Sequence, residues 1–142
     1  MRHEDFEAIE PWLLVTDVGM LAYWGMTAAS ALGWIHVPAA WLYSDADNPL
    51  IVAWNWSFFP LDVAFAAAGL TAAWLHRRGH PGWRVLLPIS LVLTWCAGVM
   101  AISFWAIRGD FDPLWWGLNL FLAAWPSAFL PRLWRGIVPP GP

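Results

Sequence analysis

The sequence predicts an all-α integral membrane protein, an antiparallel bundle of four helices forming one domain over residues 1–142. Three observations carry that prediction. First, 60% of the residues are hydrophobic and only 12% are charged, whereas soluble chains are closer to half apolar and a quarter charged. Second, four apolar stretches reach the ~20 residues needed to cross a bilayer core. Third, the linkers between them are short, charged and rich in turn formers, leaving no room for a soluble domain.

The four spans run Trp12–Ile35, Leu50–Leu75, Val85–Ile107 and Leu114–Trp134. They are separated by "HVPAAWLYSDADNP", "HRRGHPGWR" and "RGDFDP". Ahead of the first span, "MRHEDFEAIEPW" has four acids where a secretory leader needs positive charge, so no signal peptide is expected. It reads as a short amphipathic surface segment or, more simply, a solvated tail. The arginines set the orientation. Arg2, Arg77, Arg78, Arg84, Arg132 and Arg135 fall on the side holding both termini and the central linker, and Arg108 falls opposite. The positive-inside rule then puts both termini in the cytoplasm.

Two carboxylates lie inside spans, Asp17 and Asp62. A charge at mid-bilayer costs at least ~2.5–3.5 kcal/mol, so such residues face the bundle interior and mark candidate sites. Counting a ~1.5 Å rise per residue from the span ends puts Asp17 at roughly 8 Å and Asp62 at about 12 Å from the cytoplasmic face. The two are therefore expected near one level. Asn55, Phe59 and Asp62 follow i, i+4, i+7 spacing and share a helical face. Pro60 is expected to kink the helix between them and free the Trp56 carbonyl. Asn119 falls near the level of Asn55, and Pro126 marks a second expected kink. At the outer mouth, Arg108, Asp110 and Asp112 are placed to cap the interior, with Asp112 also suited to N-cap a helix opening at Pro113.

Each has a plainer reading. Asp62 can be interhelical glue. Asp17 can be a first-turn residue favoured by the helix dipole. Cys96 reads as core, with no disulfide to make. The histidines sit at or beyond span ends without metal-ligand spacing, and no P-loop, dinucleotide fingerprint or Ser-His-Asp order occurs. No metal, cofactor or nucleic acid is expected. The bilayer is the expected partner, and an oligomer is allowed.

The stretches "TDVGMLAYW", "NPLIVAWNWSFFPLD" and "FWAIRGDFDPLWWGLNLF" resemble the YvaD-like family of small bacterial membrane proteins over nearly the whole chain. The resemblance implies four transmembrane helices in a bacterial inner membrane. The family's polar motif positions correspond to Asp17, Asn55, Asp62, Arg108, Asp110 and Asp112. It implies no activity.

One chemistry suits buried carboxyls among mid-span aromatics: acid-initiated cyclisation of a lipophilic, prenylated molecule. It needs a carboxylic acid kept protonated at neutral pH, which apolar burial achieves for carboxyls in general. It also needs π faces around a migrating cation, and each contributes ~0.5–2 kcal/mol. On this reading Asp62 is the acid, with Asp17 or Asp110 as second carboxylate. Asn55 and Asn119 orient the substrate, and Trp24, Trp54, Phe59, Trp105 and Trp116 wall it in, among other aromatics that include Phe58, Trp115 and Phe121. The arrangement is similar in style to small membrane-bound terpene cyclases, with no residues carried over from them. Two alternatives stand beside it: a non-catalytic accessory or binding subunit of a membrane complex, and a small proton or solute transporter using Asp17 and Asp62 as a relay.

Overall fold

A computed structural model describes residues 3–38 and 41–137, without the side chains of residues 132 and 134–137. Arg2 and the side chains of Arg132 and Arg135, three of the orienting arginines, therefore lie outside the described residues. The described chain is all-helical: α1 (His3–Ala31), α2 (Pro49–Ser57), α3 (Phe59–Arg77), α4 (Trp83–Arg108) and α5 (Pro113–Ile137). α2 and α3 form one bent rod, so four rods make the bundle. Two of them, Pro49–Arg77 and Trp83–Arg108, are long and apolar enough to cross a membrane, with mean hydropathies of 1.5 and 2.2.

Helix ends follow local chemistry. Pro49 opens α2 behind Asn48, whose side-chain oxygen accepts from the Leu50 N–H at 3.0 Å. Asp112 does the same for α5, accepting from the Trp115 N–H at 3.0 Å one residue before Pro113, as its N-cap reading requires. α1 stops at Ala31, short of Ile35, because Gly33 adopts a φ of 72° and the Trp34 N–H bonds back to the Ala29 carbonyl. Gly109, at φ 73°, closes α4 the same way through Asp110 and Trp105. α5 runs on through Pro126 and Pro131, and no break in the helix occurs at either.

The expected solvated tail is instead the first turns of α1, continuous through Pro11. The reason is its face: Phe6, Ile9 and Leu13 recur at helical spacing, and all three are fully buried. They pack with Ala72, Trp83, Leu87 and Leu133 into an apolar cluster at the end of the bundle where the α3–α4 turn lies. Burying each large side chain of this kind contributes about 1.5–3 kcal/mol relative to water. A second cluster, built on Trp24, Phe58, Phe65, Ala66, Ala97 and Ala101, fills the other half.

Contacts along the rods show the antiparallel arrangement. His3 of α1 meets His76 at the far end of α3, while Trp24 meets Asp62 near its start. Small residues let the backbones approach: Ala66, Gly69, Ala72 and Ala73 on α3, and Ser90, Ala97, Gly98 and Ala101 on α4. At Gly98 the approach is closest, since a Cβ there would stand 2.6 Å from both the Asn119 carbonyl oxygen and the Ala123 nitrogen of α5. Between the two apolar clusters lies a polar layer of Asp17, Ser90 and Thr94, each fully buried.

Candidate functional site

The bend between α2 and α3 organises the site. Pro60 has no N–H to give the Trp56 carbonyl, so the i→i−4 ladder cannot continue there. Phe58 stays helical in backbone (φ −79°, ψ −22°), but its N–H bonds to the Asn55 and Trp56 carbonyls, tightening the turn. The expected kink thus occurs two residues before the proline. Asn55 lies on one side of the bend and Asp62 on the other, both buried.

Neighbouring residues of α1 reach across to each. The Tyr23 hydroxyl donates to Asn55 Oδ1 at 2.8 Å, and Trp24 Nε1 donates to Asp62 Oδ2 at 2.9 Å. Asp62 Oδ1 and Asn55 Nδ2 have no partner among the described residues. The bend is therefore stapled to α1 on both sides, and Trp24 acts as the donor that holds the Asp62 carboxyl.

Asp62 stands in the wall of a cavity of about 300 Å³. Its walls come from Thr16, Met20 and Tyr23 of α1, Phe58 and Trp54 beside the bend, Ala97, Ala101 and Trp105 of α4, and Trp115, Asn119, Phe121 and Leu122 of α5. Tyr43, from the segment between α1 and α2, covers one end. Val15 and Leu118 line the cavity while being 68% and 50% exposed, so its mouth lies between α1 and α5. The aromatic wall is tightly built: Trp54 stacks on Phe104 at 3.9 Å and meets Trp105 edge-on at 5.2 Å.

The remaining sequence-predicted residues divide. Trp54, Trp105 and Asn119 line the cavity, although the Asn119 Nδ2 group donates to the Trp115 carbonyl of its own helix at 2.8 Å. Trp24 and Asn55 serve from behind, through the bonds to Asp62 and Tyr23. Phe59 lies outside it, 40% exposed and edge-on to Trp24. Trp116 also lies outside the cavity, its Nε1 donating to the Asp110 carbonyl at 3.0 Å.

Asp17 and Asp62 are not on one level. Asp17 abuts Gly69 of α3, whose Cβ would stand 1.9 Å from its Oδ2, whereas Asp62 meets Trp24. Seven residues separate each pair along its helix, which is two turns or about 10 Å. The level expected from the sequence measured Asp62 from the outer end of a stretch longer than a bilayer needs, and so misplaced it by that slack. Asp17 lies outside the cavity, wholly buried, with both carboxyl oxygens unpartnered among the described residues and Ser90 Oγ similarly placed beside Gly69.

Asp110 is in the turn after α4, ion-paired at 2.8 Å with Arg108 Nε. Arg108 also bonds Asp45, tying the segment that carries Tyr43 to the α4–α5 turn. The Asp45 hydrogen bond, foremost, holds the Arg108 guanidinium above its ordinary pKa. Burial raises the Tyr43 phenol, so its hydroxyl keeps its proton at neutral pH. No cluster of three or more metal-ligating side chains occurs among the described residues.

Sequence reasoning missed Tyr23, Tyr43 and Thr16. Thr16, Met20 and Tyr23 sit at i, i+4, i+7 on α1, a stripe within "TDVGMLAYW" that pointed to a shared face. Nothing local marked Tyr43, whose segment is tied to the α4–α5 turn by the Asp45–Arg108 ion pair and whose ring meets Trp115.

Comparison with known proteins gives a consistent picture. The family described as "Family of unknown function (DUF5360)" matches residues 9–138. The "Uncharacterized protein YvaD" of Bacillus subtilis (strain 168) is 40% identical over 119 residues, covering 84% of this chain and 86% of that protein. No solved structure matches.

Proposed function

This chain belongs to the DUF5360 family, and we propose that it is a four-span membrane protein that admits a lipophilic molecule from the bilayer and presents it to the Asp62 carboxyl. The observation that carries the reading is the cavity itself: about 300 Å³, walled by aromatics, with Asp62 in its wall and a mouth between α1 and α5.

A membrane setting is supported by the outer surface. Val15, Val18, Val85, Ile89, Val92 and Met100 are all exposed on rods that bury their small and polar faces inward. Soluble monomers do not leave bands of this kind uncovered. Arg77, Arg78 and Arg84 gather at the end holding the start of α1 and the last turns of α5, and Arg108 stands alone among described arginines at the other. That asymmetry supports cytoplasmic termini in a bacterial inner membrane.

The chemistry that fits is acid-initiated isomerisation. Asp62 donates its proton to an epoxide oxygen or alkene carbon of the guest. For an epoxide, the C–O bond breaks as a neighbouring alkene's π electrons form a new C–C bond. The resulting cation loses a proton from an adjacent carbon to the Asp62 carboxylate, leaving a C=C bond. Atoms balance, the proton returns, and nothing else is consumed. Trp54, Trp105, Trp115, Phe58 and Phe121 offer π faces along the path, each contributing ~0.5–2 kcal/mol to a passing cation. The relay alternative draws less support, because Asp17 is two turns from Asp62 and outside the cavity.

The test is direct. Protein in lipid discs is incubated with the terminal epoxide of geraniol, and products are separated by mass-resolved gas chromatography. An isomer of unchanged mass should form with wild type and with Asp17→Asn, and should vanish with Asp62→Asn while the thermal midpoint is kept. Unchanged epoxide with wild type, or equal turnover by Asp62→Asn, would overturn the reading.

A further inference from the structure

The two ends of the cavity differ, and the difference selects the guest's head group. One end is closed by Tyr43 and by Trp115, whose ring meets Tyr43 and Tyr23 edge-on at 5.8 Å each. The Tyr43 side chain makes no hydrogen bond among the described residues, while the Tyr23 hydroxyl already donates to Asn55. Tyr43 thus brings to this end a hydroxyl with its proton still to give, and Trp115 a buried Nε1–H without a partner among the described residues. Toward the other end the wall becomes Met20, Ala97 and Leu122, with the single buried hydroxyl of Thr16 beyond them.

Charge at the Tyr43 end is equally decided. Among the described residues its one cation is Arg108, which sits 5.6 Å over the Trp105 ring of the cavity wall. Both of its faces are taken, by Asp45 and Asp110, and Asp47 and Asp112 add further negative charge nearby. An anionic head entering here meets four carboxylates and a guanidinium already shared between two of them. Like charges repel, so a phosphate finds no partner at this end.

Resting on the reading of the cavity as a binding site, we infer that its guest carries a neutral oxygen head, an alcohol or carbonyl, bound at Tyr43 with the hydrocarbon tail running past Asp62. A phosphate or diphosphate ester is excluded. At about 30 Å³ for each water-sized group, the cavity takes on the order of ten heavy atoms, and a longer tail leaves through the mouth toward lipid. Tyr43 is then a specificity-determining residue, its segment held by the Asp45–Arg108 ion pair rather than by a helix.

Three ten-carbon probes separate the possibilities: geraniol, the hydrocarbon myrcene and geranyl phosphate. Each is titrated into the protein in phosphatidylcholine discs, following tryptophan fluorescence and subtracting protein-free discs. Geraniol should bind roughly three- to tenfold tighter than myrcene, the worth of one hydrogen bond. Tyr43→Phe should erase that margin while leaving myrcene unchanged. Geranyl phosphate should bind at least about tenfold more weakly than geraniol, and Asp45→Asn with Asp110→Asn, by releasing Arg108, should narrow that gap. A preference for geraniol that survives in Tyr43→Phe, or a phosphate that binds as well as the alcohol, would overturn the inference while leaving the cavity reading in place. If none of the three binds, the cavity reading falls and takes the inference with it.

Discussion

Replacing Gly69 by alanine tests the buried polar layer. The new Cβ would stand 1.9 Å from Asp17 Oδ2, 2.8 Å from Ser90 Oγ and 2.9 Å from Asp17 Cγ. All three are below any normal contact, and Asp17 is fully buried, so it has no solvent-filled space to swing into. Overpacking of this kind costs typically 1–3 kcal/mol. Against it stands the helix-propensity gain of Gly→Ala, about 0.8–1 kcal/mol. With contacts this short the upper part of that range, about 2–3 kcal/mol, applies, so the clash wins and leaves a net destabilisation of about 1–2 kcal/mol. For a chain of this size that lowers the thermal midpoint by roughly 3–8 °C. The assay is thermal unfolding of detergent-solubilised protein followed by tryptophan fluorescence. The decisive comparison is the double variant with Asp17→Ala. Removing the carboxyl removes both contacts with Asp17 and a buried group without partners. It leaves only Ser90 Oγ at 2.8 Å, a short side chain that can turn, so the double variant should recover most of the lost stability and keep the alanine's propensity gain. A Gly69→Ala protein as stable as wild type, or a double variant no better than the single one, would refute the packing of α1 on α3 described above.

Gly98→Ala should be worse, because its Cβ meets backbone atoms of Asn119 and Ala123 that cannot rotate away; a loss above about 2 kcal/mol is expected by the same measurement. Trp24→Phe keeps an aromatic side chain but deletes the indole N–H that donates to Asp62, and unfolding should show a cost of about 1–3 kcal/mol for the stranded buried carboxyl. His76 stacks on Phe6 at 4.1 Å and lies 2.9 Å from His3; burial first, and then His3, lower its pKa below the ordinary value of 6.5. A histidine harder to protonate when folded gives stability that is full above the unfolded pKa and lost as pH falls below it. The thermal midpoint of His76→Phe should therefore rise relative to that of wild type as pH falls from about 7.5 to 5.5, and an unchanged difference between the two would refute this.

Much of this architecture is written in local chemistry. Four apolar stretches of about twenty residues or more, separated by polar turns, determine four rods whether or not their neighbours are known, because runs of that length suit helices and are too long for strands. Pro60 determines a bend by lacking an N–H, and Asp112 before Pro113 determines a helix start by the geometry of one oxygen. Asp62, Trp54, Trp105 and Asn119 were legible as interior residues because period and polarity point them inward. The start of α1 was legible in part, as an amphipathic surface segment: four acids pointed to solvent, and Phe6 and Ile9 on the opposite face decided its fate by finding Trp83 and Leu133 to pack against.

Register between helices is what the tertiary structure alone decides. A rise of ~1.5 Å per residue fixes distances along a rod but says nothing about how far one rod slides past the next. That offset is set by where side chains of unequal size interlock, here Asp17 into the gap left by Gly69 and α5 into the gap left by Gly98. It separates two carboxyls that counting had brought together, and gives Trp24 rather than Asp17 to Asp62. It also brings in Tyr43, a residue with no pattern of its own, through an ion pair between segments more than sixty residues apart. Sequence patterns report which face of a rod is inward; which inward residues touch depends on packing among rods, a property no single segment carries.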